Sequence, residues 1–429
     1  MQHLISRRAF LKTSLLTTGG FWAATQAGFA RKFSANEKLN LGVVGTSNRA
    51  NGNINALSGE NIAAVCDIED KLLAAAQSKF PKAKAYADFR KMLDQRALDA
   101  IVVSTPDHTH AVATMAALKS GRHVYCEKPL AHDVFEVRAV TEAATKRKLA
   151  TQIGTQIHAG ANYRRVVELI ETGAIGAVTE VHVWCERVWS GQGRLAETPP
   201  VPRGLHWDLW LGPAPQRPYA PGYHPKEWRR WWDFGGGTLG DMGCHFIDLP
   251  FWALKLHAPT SIEAEGPPVE AENTPGWLIV RYEFPARGPL PPVHLSWYNS
   301  GKLPELVKEG KARDWSAGVL FVGAKGMLQA NYDRHLLLPE HDYAGFEPPA
   351  PYLPDSIGHH QEWIVACKDG APALCNFGYG GPLTETVLLG NAAYRSGRKL
   401  EWDAAACKVT NTREADQFIR RPYRKGWKL

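Results

Sequence analysis

Lys128, Asp241 and His245 are the residues whose types and settings best suit proton and charge transfer. Lys128 stands in Glu127-Lys128-Pro129, directly after the apolar run His123–Cys126. An ammonium at a buried strand end needs a charged or hydroxyl partner. A salt bridge to a carboxylate meets that need as well as a ligand does. Asp241 and His245 follow Gly235-Gly236-Gly237 and lie four residues apart, so on a helix they share one face. A carboxylate that orients an imidazole suits proton transfer near neutral pH. On spacing alone, a surface Asp-His pair reads equally well. No metal is expected: there is no acid-rich cage, and a His/Asp zinc site lacks a third ligand.

A second group of residues suits a dinucleotide. The run 39–44 leads into Gly45-Thr46-Ser47-Asn48-Arg49-Ala50, where a dinucleotide turn would read Gly-x-Gly-x-x-Gly/Ala. Ser47 stands in place of the middle glycine and narrows the approach of backbone to pyrophosphate. Asp67 follows Gly45 by 22 residues at the end of the next apolar run, where a carboxylate can accept from both ribose hydroxyls. It would repel a 2′-phosphate, so NAD is expected over NADP. A turn and a helix-capping Asp are the structural alternative. Ser104-Thr105-Pro106-Asp107-His108-Thr109-His110 is a further polar strand end, explained in part by helix capping.

These residues need elements to position them. Apolar runs at 39–44, 62–66, 100–104, 123–126 and 150–153 alternate with helical spacing at 71–79, 108–120 and 134–147. That is a doubly wound parallel sheet over residues 36–155, with ligands beyond the carboxyl ends of its strands. From 156 to 429 the pattern predicts a second α/β domain with a mainly antiparallel sheet. Its strands are expected at 178–189, 277–284, 293–297 and 319–322, and its helices at 163–171, 238–254, 359–368 and 383–396. Residues 191–223 and 347–354 read as loops.

Composition sets outer bounds. With 429 residues, 44% hydrophobic and 22% charged, neither a disordered chain nor a multi-span membrane protein fits. The net charge of +7 is too mild for nucleic acid. The cluster Arg420, Arg421, Arg424, Lys425 and Lys428 reads as a solvated basic tail. There are 15 Trp, eight of them between 184 and 252, and large flat faces suit sugar-like ligands, although core packing accounts for most. Seven scattered cysteines give no disulfide framework. Residues 1–30, with Ser-Arg-Arg-Ala-Phe-Leu-Lys and an uncharged, glycine-bearing stretch, resemble a cleavable twin-arginine export signal. The expected location is periplasmic or otherwise exported, without a stable membrane anchor.

From residue 39 onward, Asp67, Glu127-Lys128-Pro129 and Gly-Gly-Gly-x-x-x-Asp-x-Gly-x-His ending at His245 occur in the order that resembles the Gfo/Idh/MocA family of NAD(P)-dependent oxidoreductases. The resemblance implies a Rossmann domain and a C-terminal α/β domain whose open sheet forms homo-oligomers. It implies that Lys128 positions a reacting hydroxyl, His245 exchanges its proton and Asp241 orients the pair. Ser104, Thr105, Pro106, His110, Glu127 and Gln156 would line the cofactor beside residues 45–49, with a cis bond before Pro129. The expected activity is hydride transfer between a sugar or polyol and tightly bound NAD. The alternative is a redox-neutral NAD-dependent glycosidase working by oxidation, elimination, hydration and reduction, and after it a non-catalytic sugar sensor. His158, Tyr163, His206 and Trp207 are expected to contact substrate.

Overall fold

The computed structural model describes residues 37–191, 193 and 195–429; the expected export signal lies outside them. Residues 40–153 build a six-stranded parallel sheet: β1 (Asn40–Val44), β2 (Asn61–Cys66), β3 (Lys84–Tyr86), β4 (Ala100–Val103), β5 (His123–Cys126) and β6 (Thr151–Ile153). Their order is β3-β2-β1-β4-β5-β6. The chain therefore reverses its direction of winding between β1 and β4, which opens a crevice at their carboxyl ends. The central strands are short runs such as Ala-Ile-Val-Val in β4, buried throughout, as a parallel sheet covered on both faces requires.

The second sheet has nine strands: β7 (Val178–Cys185), β8 (Ser261–Glu265), β9 (Ile279–Phe284), β10 (Val293–Asn299), β11 (Ala317–Gly323), β12 (Gly326–Ala330), β13 (His335–Leu338), β14 (Leu400–Asp403) and β15 (Lys408–Val409). The order is β13-β12-β11-β7-β10-β9-β8-β14-β15. Only β7 and β10 pair in parallel; the other neighbours are antiparallel. The fold is thus α/β, a doubly wound parallel sheet beside a mainly antiparallel one. Among the described residues no helix is long and apolar enough to cross a membrane.

The chain then returns to the first sheet. Helix His359–Asp369 packs Trp363, Ile364 and Cys367 against Leu39, Leu41 and Val43 of the first strand's region. Helix Phe377–Ser396 lies against the Val134–Arg147 helix, where Arg138 Nη2 donates to both carboxylate oxygens of Glu385 at 2.8 Å.

Several elements differ from expectation. The strand expected to run to 189 ends at Cys185, so Trp189 leaves the sheet and turns toward the domain junction. The helix expected over 238–254 is two helices, Gly237–Phe246 and Asp248–Ala253. Pro250 has no N–H to offer the carbonyl of Phe246, so the ladder cannot run through. The expected solvated tail is docked instead. Arg421 Nη2 donates to Glu136 Oε1 at 2.8 Å and to the His108 carbonyl at 2.7 Å, and Arg424 Nη1 donates to Asp208 Oδ1 at 2.6 Å.

Candidate active site

A cavity of about 530 Å³ opens where the carboxyl ends of the parallel strands face the Gly237–Phe246 helix. Its first wall is the turn after β1. Gly45 has φ +84°, and a Cβ there would meet the Ser104 carbonyl oxygen at 2.7 Å, so only glycine lets the turn pass this close to β4. Asn48 also has positive φ, 51°, in the residue before the Arg49–Ala56 helix begins. Asp67 is buried at the end of β2, and its Oδ2 accepts from the Thr46 backbone N–H at 2.9 Å and the Thr46 hydroxyl at 2.8 Å. The carboxylate is therefore fixed toward the turn rather than swinging into solvent.

Glu127, at the end of β5, is the hub of the next wall. Its Oε1 accepts from Asn53 Nδ2 at 2.8 Å, Gln156 Nε2 at 3.0 Å and Arg49 Nε at 3.3 Å. Asn53 also donates to Ser104 Oγ at 3.0 Å. The ring nitrogens of His110 lie 2.7 Å from the carbonyl oxygens of Thr105 and Pro129, tying two strand ends together. The Lys128–Pro129 bond is cis. Gly45, Thr46, Ser47, Asn48, Arg49, Asp67, Ser104, Thr105, Pro106, His110, Glu127, Lys128 and Gln156 all line the cavity. A glycine cradle at the winding reversal, a helix N-terminus and a fixed carboxylate beyond β2 fit a dinucleotide.

The opposite wall carries the reactive side chains. Lys128 Nζ donates to the Asp241 carbonyl and to Asp241 Oδ1, each at 2.7 Å. Arg229 Nε reaches the same Oδ1 at 3.1 Å, and Trp189 Nε1 donates to Oδ2 at 2.7 Å. Burial pushes the Asp241 carboxyl up, but the cations of Lys128 and Arg229 outweigh it and hold it well below the usual carboxylate range. His245, one helical turn on, shares the cavity. Burial, reinforced by the Lys128 charge, pushes its imidazole down to about 3, and its buried Nδ1 has no hydrogen-bond partner among the described residues. Asp107 also lines the cavity, and burial pushes it up to about 7 against the pull of Arg229 and Lys128.

The four expected substrate contacts lie outside this cavity. His158 is buried elsewhere, its Nδ1 2.9 Å from Asp248 Oδ1 and its ring stacked on Trp252 at 4.2 Å between centroids. Tyr163 is fully buried and donates to the His245 carbonyl at 3.2 Å, so it supports the helix rather than a ligand. His206 is exposed and pairs with Asp70 at 2.9 Å. Trp207 stacks on Trp210 at 4.5 Å inside an aromatic cluster with Tyr223, Trp231 and Phe234. Trp210, and not Trp207, meets the cavity. Sequence reading had missed Arg187, Trp189, Arg229, Tyr332 and Trp427, which line it. Only the surplus of Trp between 184 and 252 pointed toward Trp189 and Trp210.

His158, Asp248 and Cys375 also cluster, with ligand atoms within 4.8 Å of one another. Asp248 Oδ1 already accepts from Tyr379 Oη at 2.7 Å, and burial pushes the Cys375 thiol up, so this reads as a packed polar core.

Residues 39–155 match the sequence model of the Gfo/Idh/MocA oxidoreductase family's NAD-binding Rossmann fold. Residues 160–288 match the C-terminal alpha/beta domain of the same family. Inositol 2-dehydrogenase of Salmonella paratyphi B is 31% identical over 146 residues, 34% of this chain and 43% of that protein, so less than half of that relative is spanned. Levoglucosan dehydrogenase of Pseudarthrobacter phenanthrenivorans is 26% identical over 379 residues, 79% of this chain and 88% of that protein. Among solved structures, GenD2 from gentamicin A biosynthesis in complex with NAD superposes with a TM-score of 0.60 at 20% identity, covering 87% of this chain and 99% of that one. With both halves matched in order along one chain, this protein belongs to the Gfo/Idh/MocA oxidoreductase family, and its N-terminal Rossmann domain is of the NAD-binding kind.

Proposed function

We propose that this protein transfers a hydride between a carbinol carbon of a sugar or polyol and NAD. One observation carries the reading. An ammonium has three N–H donors, and Lys128 uses two of them on the carbonyl and carboxylate of Asp241, both at 2.7 Å. The third remains for an oxygen in the cavity, which is lined also by His245, an imidazole with no partner on Nδ1 among the described residues. Inositol and levoglucosan dehydrogenases among the relatives support the substrate class.

When bound, NAD would supply the hydride acceptor. The Arg49–Ala56 helix N-terminus and Arg49 would hold its pyrophosphate, and Asp67 its ribose diol. Lys128 binds the reacting hydroxyl oxygen and stabilises the negative charge that develops on it. His245, kept unprotonated at neutral pH by burial, takes the hydroxyl proton and returns it in the reverse direction. Asp241 acts through Lys128, fixing the ammonium in place.

We also propose that NAD is retained through purification, as suits export of a folded enzyme from the cytoplasm. The test is a panel of sugars, polyols and nitrophenyl glycosides incubated without added NAD. Keto products support hydride transfer. Aglycone release would shift the reading to the redox-neutral glycosidase, and freely exchanging nucleotide would remove retention.

A further inference from the structure

Five cations and five carboxylates line the cavity, yet among the described residues only Arg49, Lys128 and Arg229 of those cations form ion pairs with those carboxylates. Four cations surround the Trp189 ring, whose N–H bonds Asp241: Arg187 at 6.0 Å from the ring centroid, Lys226 at 6.0 Å, Arg229 at 5.4 Å and Arg230 at 5.7 Å. Arg229 pairs with Asp241 and Arg230 with Glu227. Among the described residues Arg187 and Lys226 form no ion pair, and both are exposed and line the cavity.

The carboxylates on the wall are already engaged. Asp241 is held by Lys128 and Arg229, Glu127 by Arg49, Asp88 by Arg90, and Asp67 accepts from Thr46. Among the described residues Asp107 forms no ion pair, and burial pushes it toward its neutral form against the pull of Arg229 and Lys128. Two cations brought to one indole without a counter-charge repel each other, and an anion placed between them relieves that repulsion. A dinucleotide does not meet the need, because its phosphates belong at the turn around Asn48 and Arg49 on the other domain. Arg187 and Lys226 instead come from the segments that carry Trp189 and Trp228 beside the reacting centre.

Resting on the hydride-transfer reading, we propose that the substrate is an anionic sugar, bearing a carboxylate or a phosphate that Arg187 and Lys226 bind. The reacting hydroxyl meets Lys128 and His245, and the anionic group lies across the Trp189 indole from them.

The experiment is isothermal titration of the NADH-loaded protein with glucose, glucuronate and glucose 6-phosphate, at low and high salt. At least one of the two anions should bind about tenfold or more tightly than glucose, with the difference shrinking as salt rises. Whichever anion prevails distinguishes carboxylate from phosphate recognition. Arg187→Gln and Lys226→Gln should each remove most of the difference, and Lys226→Arg should keep it. Absence of binding by either anion at millimolar concentration would overturn the proposal. So would a preference for anions that survives the double variant. Nicotinamide absorbance with the NAD-loaded protein separates the two readings. An anion that binds through these cations but is never oxidised upholds anion recognition at Arg187 and Lys226 and counts against hydride transfer from that anion. A neutral sugar oxidised without any anion preference does the reverse.

Discussion

Lys128 and His245 stand 117 residues apart in sequence, one from each domain, and meet in one cavity. Loss of a general base lowers rates by on the order of 10² to 10⁴. Lys128→Ala and His245→Ala should each reduce turnover on that scale while NAD stays bound, and the double variant should be little worse than either. Near-normal turnover of His245→Ala in steady-state assays would remove His245 from the chemistry. Asp67 is the cofactor-selecting residue in this reading, since its buried carboxylate is pinned by Thr46. Asp67→Ala should weaken NAD binding and narrow the gap to NADP in titrations of the apoprotein. Equal affinity of the unmutated apoprotein for both nucleotides would defeat that assignment. Residue types at strand ends made this half of the site legible, because backbone periodicity fixes where a strand end points. Trp189 and Trp427 were not legible: one lay inside an expected strand, the other in an expected tail.

The Gly237–Phe246 helix carries Asp241 and His245, and its first residue sets its position. Gly237 has φ +63°, and a Cβ there would meet Thr274 Cβ at 2.7 Å. Thr274 Oγ1 in turn donates to the Trp189 carbonyl at 2.8 Å. Gly237→Ala should therefore cost about 1–3 kcal/mol and lower turnover more than NAD affinity. Denaturant midpoints and kcat against Kd would show it, and an unchanged midpoint would contradict it. The parallel sheet was readable because strands buried on both faces appear as continuous apolar runs. The short β3 and β15 carry too few residues for any period to register. Helix Phe377–Ser396 starts six residues before its expected start at 383, at a stretch that looks like a break: Gly378, Gly380, Gly381 and Pro382. Gly380 and Gly381 serve contact instead, since a Cβ on either would come within 2.4 Å of Ile153 or Thr141.

Several histidines are buried in the neutral form across the whole molecule. Burial pushes His108, His245 and His359 down to about 3 and His123 to about 4. An unfolded chain protonates its histidines near pH 6.5, so between there and these folded values it binds more protons than the native protein. Stability is then present above about pH 6.5 and falls as pH drops, by roughly 1.4 kcal/mol per unit for each such group. Urea midpoints should fall between pH 7 and pH 5, and a flat profile would contradict the burial. The docked C-terminal segment acts over the same scale. Arg421 faces the Asp133 and Glu136 carboxylates of the capping box that opens the Val134–Arg147 helix. Arg421→Ala leaves Glu136 buried without its cation and should cost about 3–5 kcal/mol, measurable as a lowered denaturation midpoint. Trp427 lies just beyond this anchor, on the wall of a cavity whose first wall begins at Val44. During synthesis, then, the nucleotide turn emerges from the ribosome long before the last wall residue exists. Any NAD captured on the nascent chain would be held by the first domain alone, and closure around it must wait until Trp427 has emerged.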